Sequence, residues 1–432
     1  MKVLQQFKSD ELKGSTKFKL ANGLTEFPRE LFDLTDTLEL LDLSGNSLSS
    51  LPDHFDRFQK LKIVFFADNQ FTEFPKILSQ CPQLEMISFK SNRISKIEEG
   101  AIPKQTRWLI LTNNQINELP KSIGNCSRLQ KCALAGNQLT SLPIEMANCQ
   151  NLELLRISAN QLTEFPEWLL QLPKLSWLAI SGNTFNKNYT VHNSLPKINW
   201  QDLELKEILG EGASGIISKA VYNATNEIAV KVFKGEVTSD GLPHDEMSAC
   251  IEAGDHAHLV KLLGQINKHP ENKEGLALEL IPNDYKNLGL PPNFVTCTRD
   301  TFHENTSFSL EHIKSIAIGI STAMEHLHAN GVMHGDLYAH NILINDQAHA
   351  LLGDFGAATI YDTNSNRAPL LEKLDVRAFS CLLEDLLDHT IPGELHTQTY
   401  NSLHQLKENC MLSEISNRPD FKTISSQISQ LS

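Results

Sequence analysis

An asparagine returns to this chain eight times at nearly fixed intervals, and no other feature limits the possible folds so tightly. Asn22, Asn46, Asn69, Asn92, Asn114, Asn137, Asn160 and Asn183 are spaced 22 to 24 residues apart. Seven of them sit in the pattern L-x-x-L-x-L-x-x-N-x-L. Leu38, Leu41, Leu43, Asn46 and Leu48 form one instance, and Leu152, Leu155, Ile157, Asn160 and Leu162 another. A unit this short cannot bury its apolar face alone, so the units must stack. Each supplies one short parallel strand whose alternate apolar residues enter a common core. A buried amide needs partners, and each Asn can find them on the backbone of successive turns. Pro52, Pro75, Pro120, Pro143 and Pro166 mark the chain leaving the strand layer.

This pattern resembles the leucine-rich repeat family, in its L-x-x-L-P, intracellular-type form. The resemblance implies an α/β leucine-rich repeat solenoid over residues 1–185, with residues 1–30 carrying one degenerate repeat and capping the open end. The third position of each repeat reads Leu40, Ile63, Met86, Trp108, Lys131, Leu154, Trp177. The fifth reads Asp42, Phe65, Ser88, Ile110, Ala133, Arg156, Ala179. In a solenoid these columns line the concave face. Exposed apolar patches usually mark interaction sites. Leu40, Ile63, Met86, Trp108, Leu154 and Trp177 are therefore the expected surface for a protein partner, with the two tryptophans as anchors. Coverage by neighbouring side chains would give the same pattern.

Periodicity ends at residue 186. Residues 186–199 are polar and rich in Asn, and read as a linker. From Trp200 the pattern changes to strands followed by helices. Gly210, Gly212 and Gly215, followed by Ile217, form G-x-G-x-x-G-x-I, where glycine lets backbone approach phosphate oxygens without a Cβ in the way. That motif alone is weak. Here Glu227–Val232 follows, alternating as a strand does, with Lys231 lying 21 residues after Gly210. Further on comes His334-Gly335-Asp336-Leu337-Tyr338-Ala339-His340-Asn341, then Asp354-Phe355-Gly356. Phosphoryl transfer needs such groups. One carboxylate orients the attacking hydroxyl, while an amide and a second carboxylate hold the Mg²⁺ that bridges the ATP phosphates.

In this order the motifs resemble the protein kinase family, over residues 200–432. The resemblance implies an α+β bilobal domain that uses ATP and Mg²⁺. It implies that Asp336 is the base, that Asn341 and Asp354 are the metal ligands, and that Lys231 holds the α and β phosphates. Lys231 needs an acidic partner; Glu246 is favoured over Glu252 and Asp245. Leu209, Ile217, Ala229 and Leu343 are expected to sandwich the purine. Leu278 lies at the back of the pocket, and Glu279 and Ile281 offer backbone groups to the base. Asp375 opens a D-V-x-x-F helix and braces the catalytic loop. Arg418-Pro419-x-Phe421 matches a late family motif.

Three departures stand out. Gly335 replaces the Arg that usually binds a phosphorylated activation loop, so that switch is not expected here. Tyr338 stands where serine/threonine kinases usually carry Lys and tyrosine kinases Ala. Only 21 residues separate Asp354 from Asp375, and Ala368–Glu372 is at best a loose A-P-E, with Glu372 a candidate partner for Arg418. Thr359, Tyr361, Thr363 and Ser365 are candidate autophosphorylation sites. The H-G-D-L-x-x-x-N run also suits small-molecule phosphotransferases; the glycine of Asp354-Phe355-Gly356 favours the protein-kinase form. A serine or threonine acceptor is the base-rate expectation, and a scaffold with little or no transfer activity is the alternative from another class.

The totals narrow the partners. A formal charge of −14 offers no basic field for nucleic acid or an anionic membrane. The first ten residues contain no apolar run, and no stretch reaches the roughly 18 apolar residues of a membrane span. The eight cysteines are scattered without a C-x-x-C pair, which suits reduced thiols and a cytoplasmic protein.

Overall fold

The structure is a computed structural model that describes residues 14–186, 189, 191–212, 214–235 and 237–431. Residues 1–13 of the expected cap, parts of the expected linker and Ala213 of the glycine-rich segment lie outside the described residues. The chain forms two compact units. One comprises residues 1–155, 159–172 and 183–185; the other comprises Arg156–Ser158, Pro173–Gly182 and Asn186–Ser432. The second unit therefore includes two short segments that the sequence assigns to the last repeats.

Eight three-residue strands, β1 (Lys17–Lys19), β2 (Leu40–Asp42), β3 (Ile63–Phe65), β4 (Met86–Ser88), β5 (Trp108–Ile110), β6 (Lys131–Ala133), β7 (Leu154–Arg156) and β8 (Trp177–Ala179), form one sheet in chain order. Pairing is parallel and in strict register, Leu40 to Ile63 to Met86 to Trp108 to Lys131. The middle residue of each strand points inward, and Leu41, Val64, Leu109, Leu155 and Leu178 have no exposed surface. The return segments are 3-10 turns rather than α-helices. Pro75, Pro120, Pro143 and Pro166 each stand directly before one, where a fixed φ and a missing N–H cost nothing.

The asparagines form the ladder their spacing predicts. Asn69 Nδ2 donates to Leu43 O at 2.9 Å, and its Oδ1 accepts the Leu48 N–H at 2.9 Å. Asn92, Asn137 and Asn160 repeat this on Phe66, Leu111 and Leu134. Asn22, in the degenerate first repeat, is exposed. None of the eight cysteines is in a disulfide, and seven are buried.

The concave column is less open than its composition suggests. Leu40, Ile63 and Trp108 are half-buried, but Met86, Leu154 and Trp177 are buried, Trp177 to 1% exposure. The expected six-residue exposed patch is therefore only partly available.

In the second unit, β9 (Lys197–Asn199), β10 (Leu203–Glu211), β11 (Gly215–Tyr222), β12 (Asn226–Phe233), β13 (Leu262–Asn267) and β14 (Gly275–Glu279) make a six-stranded sheet in the order β10-β11-β12-β14-β13-β9. β9 lies inside the stretch read as linker. It adds a parallel edge to β13, and Ile198 enters the core formed by Ala220, Ile228, Val230, Ile266 and Ala277. Helix α1 (Pro243–Ala253) follows β12 in the chain. Four further helices, α2 (Leu310–Ala329), α3 (Ala368–Asp388), α4 (Gln398–Cys410) and α5 (Phe421–Ser429), make the other lobe with the short strands β15 (Lys286–Asn287), β16 (Val332–Met333), β17 (Ile342–Ile344), β18 (Ala350–Leu352) and β19 (Thr359–Ile360). No helix of the described residues is long and apolar enough to cross a membrane.

Candidate active site

Alternation along β12 sets the roof of the site. Ile228 and Val230 turn into the core of the sheet. Their neighbours Ala229 and Lys231 must then face the opposite side, where both line a cleft of ≈ 580 Å³. Lys231 makes an ion pair with Glu246, in the first turn of α1. Pro243 opens that helix at a position that suits proline, and the helix N-terminus favours the carboxylate. Burial alone would lower the Lys231 pKa, but the charge of Glu246 more than offsets it, so the ammonium is held above its ordinary value. Glu246 is thus the partner among the three candidates. Glu252 instead accepts the backbone N–H groups of His192 and Asn193.

The same cleft is walled by Leu209, Gly210, Ile217, Ala229, Leu278, Glu279, Ile281 and Leu343, and at its far end by Asn341 and Asp354. These are the expected nucleotide residues, less Gly212 and Gly215. A Cβ on Gly210 or Gly212 would meet nothing within 4 Å, whereas one on Gly215 would lie 2.7 Å from Val232 O. Gly215 is therefore required by close strand packing, and the other two leave space open. Sequence reasoning missed Cys250, Val260, Tyr285 and His340, which also line the cleft. His340 is held by Asp300, 2.7 Å from Nδ1. Burial would lower its pKa, but the Asp300 hydrogen bond and charge raise it overall.

The catalytic loop is built around one buried carboxylate. Asp375, with no exposed surface, accepts the N–H of His334 at 2.8 Å and of Gly335 at 3.0 Å, and lies 3.0 Å from His328 Nε2. The His334 ring continues the brace. Its Nδ1 accepts the Asp336 N–H at 3.2 Å, so Nε2 carries the proton and donates to Gly353 O at 3.1 Å. Asn341 Nδ2 donates to Asp336 O and to Asp336 Oδ2, both at 2.9 Å. That leaves the amide oxygen of Asn341 as an acceptor near the exposed Asp354. Hard oxygen donors of this kind fit Mg²⁺. Among the described residues no three-residue group of His, Cys, Asp and Glu could hold a metal unaided, so the nucleotide phosphates would have to complete the shell.

Several sequence expectations are corrected here. The left-handed residue at Asp354-Phe355-Gly356 is Asp354 itself, with φ 54°, not the glycine. Asp375 does not open its helix: α3 begins at Ala368, with Pro369 in its first turn. Arg418 does not pair with Glu372. Its three nitrogens donate to Leu412 O, Lys373 O and Pro173 O, and Glu372 instead accepts the Phe421 N–H at 2.9 Å. Thr359 and Tyr361 are buried, and the Tyr361 hydroxyl lies 2.8 Å from His328 Nδ1. Of that group Thr363 is exposed and Ser365 half-buried.

The largest omission is Arg156. It belongs to the second compact unit and is 3% exposed. Its guanidinium pairs with Asp336 Oδ1, reaches Asp240 at 2.7 Å and donates to Gly335 O at 2.9 Å. Trp177, in the same unit, stacks on Tyr338 at 4.4 Å with rings 7° from parallel, and donates from Nε1 to Leu337 O at 3.0 Å. Gly335 has φ 68°, and a Cβ there would lie 2.4 Å from Leu178 O. The two positions that depart from the kinase pattern, Gly335 and Tyr338, are thus the two that meet Leu178 and Trp177.

A bilobal unit with a Lys–Glu pair over a cleft, and an Asp, Asn and Asp at its floor, has the layout of a protein kinase. Residues 203–432, more than half of the chain, match the family model for the protein kinase domain, and the chain belongs to that family. Residues 37–58 and 127–185 match leucine rich repeat models. Among curated proteins, the chain is similar to a probable serine/threonine-protein kinase of Dictyostelium discoideum, at 27% identity over 173 residues. It is also similar to the human phosphorylase b kinase gamma catalytic chain, liver/testis isoform, at 28% over 163 residues. The matched regions cover 38% and 36% of this chain, but only 10% and 37% of those proteins.

Proposed function

We propose that the chain is an ATP-dependent protein kinase that phosphorylates serine or threonine, with its leucine-rich repeats serving to recognise a protein partner or substrate. The observation that carries this reading is the convergence of Lys231, Glu246, Asn341 and Asp354 on one cleft, with Asp336 hydrogen-bonded to Asn341. ATP with Mg²⁺ fits there. Lys231 neutralises phosphate charge, Asn341 and Asp354 offer oxygens to the cation, and Asp336 is the group that would take or orient the acceptor hydroxyl proton. The similarity to a probable serine/threonine-protein kinase supports serine or threonine over tyrosine. A cytoplasmic setting suits eight cysteines outside any disulfide.

For a partner, Leu40, Ile63 and Trp108 remain the accessible members of the apolar column, while Trp177 is already engaged by Tyr338. Incubation with labelled ATP and Mg²⁺, beside Asp336→Ala, tests the activity. Label on a protein acceptor that depends on Asp336 is the expected result. Transfer only to small metabolites refutes it. Trp108→Asp should release a copurifying partner; full retention would refute its role as an anchor.

A further inference from the structure

We propose that the chain inhibits itself at the acceptor side of its active site: Arg156 occupies Asp336 while the nucleotide cleft stays formed. This rests on the kinase reading above and concerns its regulation.

Both carboxylate oxygens of Asp336 are engaged, Oδ1 by Arg156 and Oδ2 by Asn341. Asn341 is needed in any active arrangement; Arg156 is not. An acceptor hydroxyl must come within hydrogen-bond reach of that carboxylate, and the guanidinium stands there. It is fixed on its other sides by Asp240 and by Gly335 O. Its two carboxylate neighbours hold it charged against the effect of burial. Next to it Trp177 covers Tyr338, and Leu178 presses its carbonyl against Gly335. Gly241, with φ 144°, approaches Ser158 so closely that a Cβ would lie 2.9 Å from the serine Cβ. The backbone from Gly335 to Tyr338 is therefore covered along the edge where a peptide would have to lie.

The nucleotide side is in the opposite condition. Lys231 and Glu246 are paired, and the cleft holds ≈ 580 Å³, ample for a nucleotide. Its walls reach Asn341 and Asp354 but include neither Asp336 nor Arg156. That separation bears on the rival role for a buried arginine, a cation that stabilises the transferring phosphoryl group. Such a group must face the phosphates. Arg156 instead lies beyond the cleft wall, with Nε, Nη1 and Nη2 each committed to a protein oxygen.

Two of the three departures from the family pattern acquire a single cause. A side chain at position 335 would collide with Leu178 O, and Tyr338 supplies the aromatic plane on which Trp177 rests. Both fit a loop shaped to be covered.

The test uses the full chain carrying Arg156→Met, Arg156→Lys or Trp177→Ala, each with and without Asp336→Ala. Label transfer to a protein acceptor is read beside the affinity for a fluorescent ATP analogue. Arg156→Met and Trp177→Ala should raise Asp336-dependent transfer, by about 5- to 150-fold if the contact is worth an ordinary coupling between sites. Nucleotide affinity should stay unchanged, and Arg156→Lys, which keeps the charge, should stay low. Trp177→Ala carries the test if Arg156→Met fails to fold, as a melting curve will show. If wild type is active and the open variants are no more active, or less, self-inhibition is refuted and the kinase reading stands. If all of them bind ATP and none transfers phosphate, the kinase reading fails and the proposal falls with it.

Discussion

Asp375→Asn is the sharpest probe of how the catalytic loop is held. The carboxylate serves three donors: the His334 N–H and His328 Nε2 on Oδ2, and the Gly335 N–H on Oδ1. An amide of the same shape has one oxygen and one NH₂. The better orientation keeps the oxygen on the side with two donors and turns NH₂ toward the Gly335 N–H, donor against donor. One charge-assisted bond, worth about 1.5–3 kcal/mol, is lost, and a buried N–H is left unsatisfied at a further ~1–3 kcal/mol. The two bonds that survive become neutral and weaker. Together these put the cost near 3–5 kcal/mol, confined to the segment from His334 to Asn341. Amide hydrogen exchange on peptides covering that segment reads it directly, because local opening sets the rate. The Gly335 amide should lose protection by about 100-fold or more, with the Asn69 and Asn92 repeats unaffected. A loss under about fivefold would refute the view that one carboxylate organises the loop.

Glu246→Gln, which removes the charge beside Lys231, should cut transfer about 100-fold through misplacement of that lysine, read as kcat/KM for ATP. Asn114→Ala leaves the Ile94 N–H without its acceptor at 2.9 Å and takes from Phe89 O one of its two donors, the Asn92 amide at 3.1 Å remaining. That should cost about 3 kcal/mol of local stability, seen as faster exchange at Ile94. His340 carries a pKa raised by Asp300. Its stabilising effect is complete below the ordinary histidine value of 6.5 and is lost as pH rises through the higher folded value. Melting temperature should fall over that window, and Asp300→Asn should flatten the dependence.

Much of this was legible in the sequence because it rests on local periodicity. Asn46 to Asn183 repeat at one spacing because each bonds the turn before it, and the strand from Glu227 to Val232 shows its cleft-facing lysine by alternation alone. That Asn341 bonds Asp336 and shares a cleft wall with Asp354 was legible because the three stand in one motif order. Other features depend on residues far apart in the chain. Arg156 lies 180 residues from Asp336, and its one visible signal was a bulky cation among small and apolar neighbours in the fifth-position column. β9 escaped notice because three residues with one inward Ile198 carry no period. The place of Asp375 within α3 was misread because a motif marks what a residue touches, not where its helix begins.

The asparagine ladder has a consequence for how such chains can change over time. Asn69, Asn92, Asn137 and Asn160 each bond a carbonyl 26 residues back, so the solenoid has translational symmetry, and a whole repeat can be added or removed without altering its neighbours' bonding. Arg156 and Trp177 break that symmetry, since they come from successive strands and meet Asp336 and Tyr338, two residues apart in one loop. A repeat inserted between them would pull the two apart by one strand spacing, whereas one inserted ahead of Leu134 would leave both in register. Gain and loss of repeats is thus free at one end of the array and forbidden at the other.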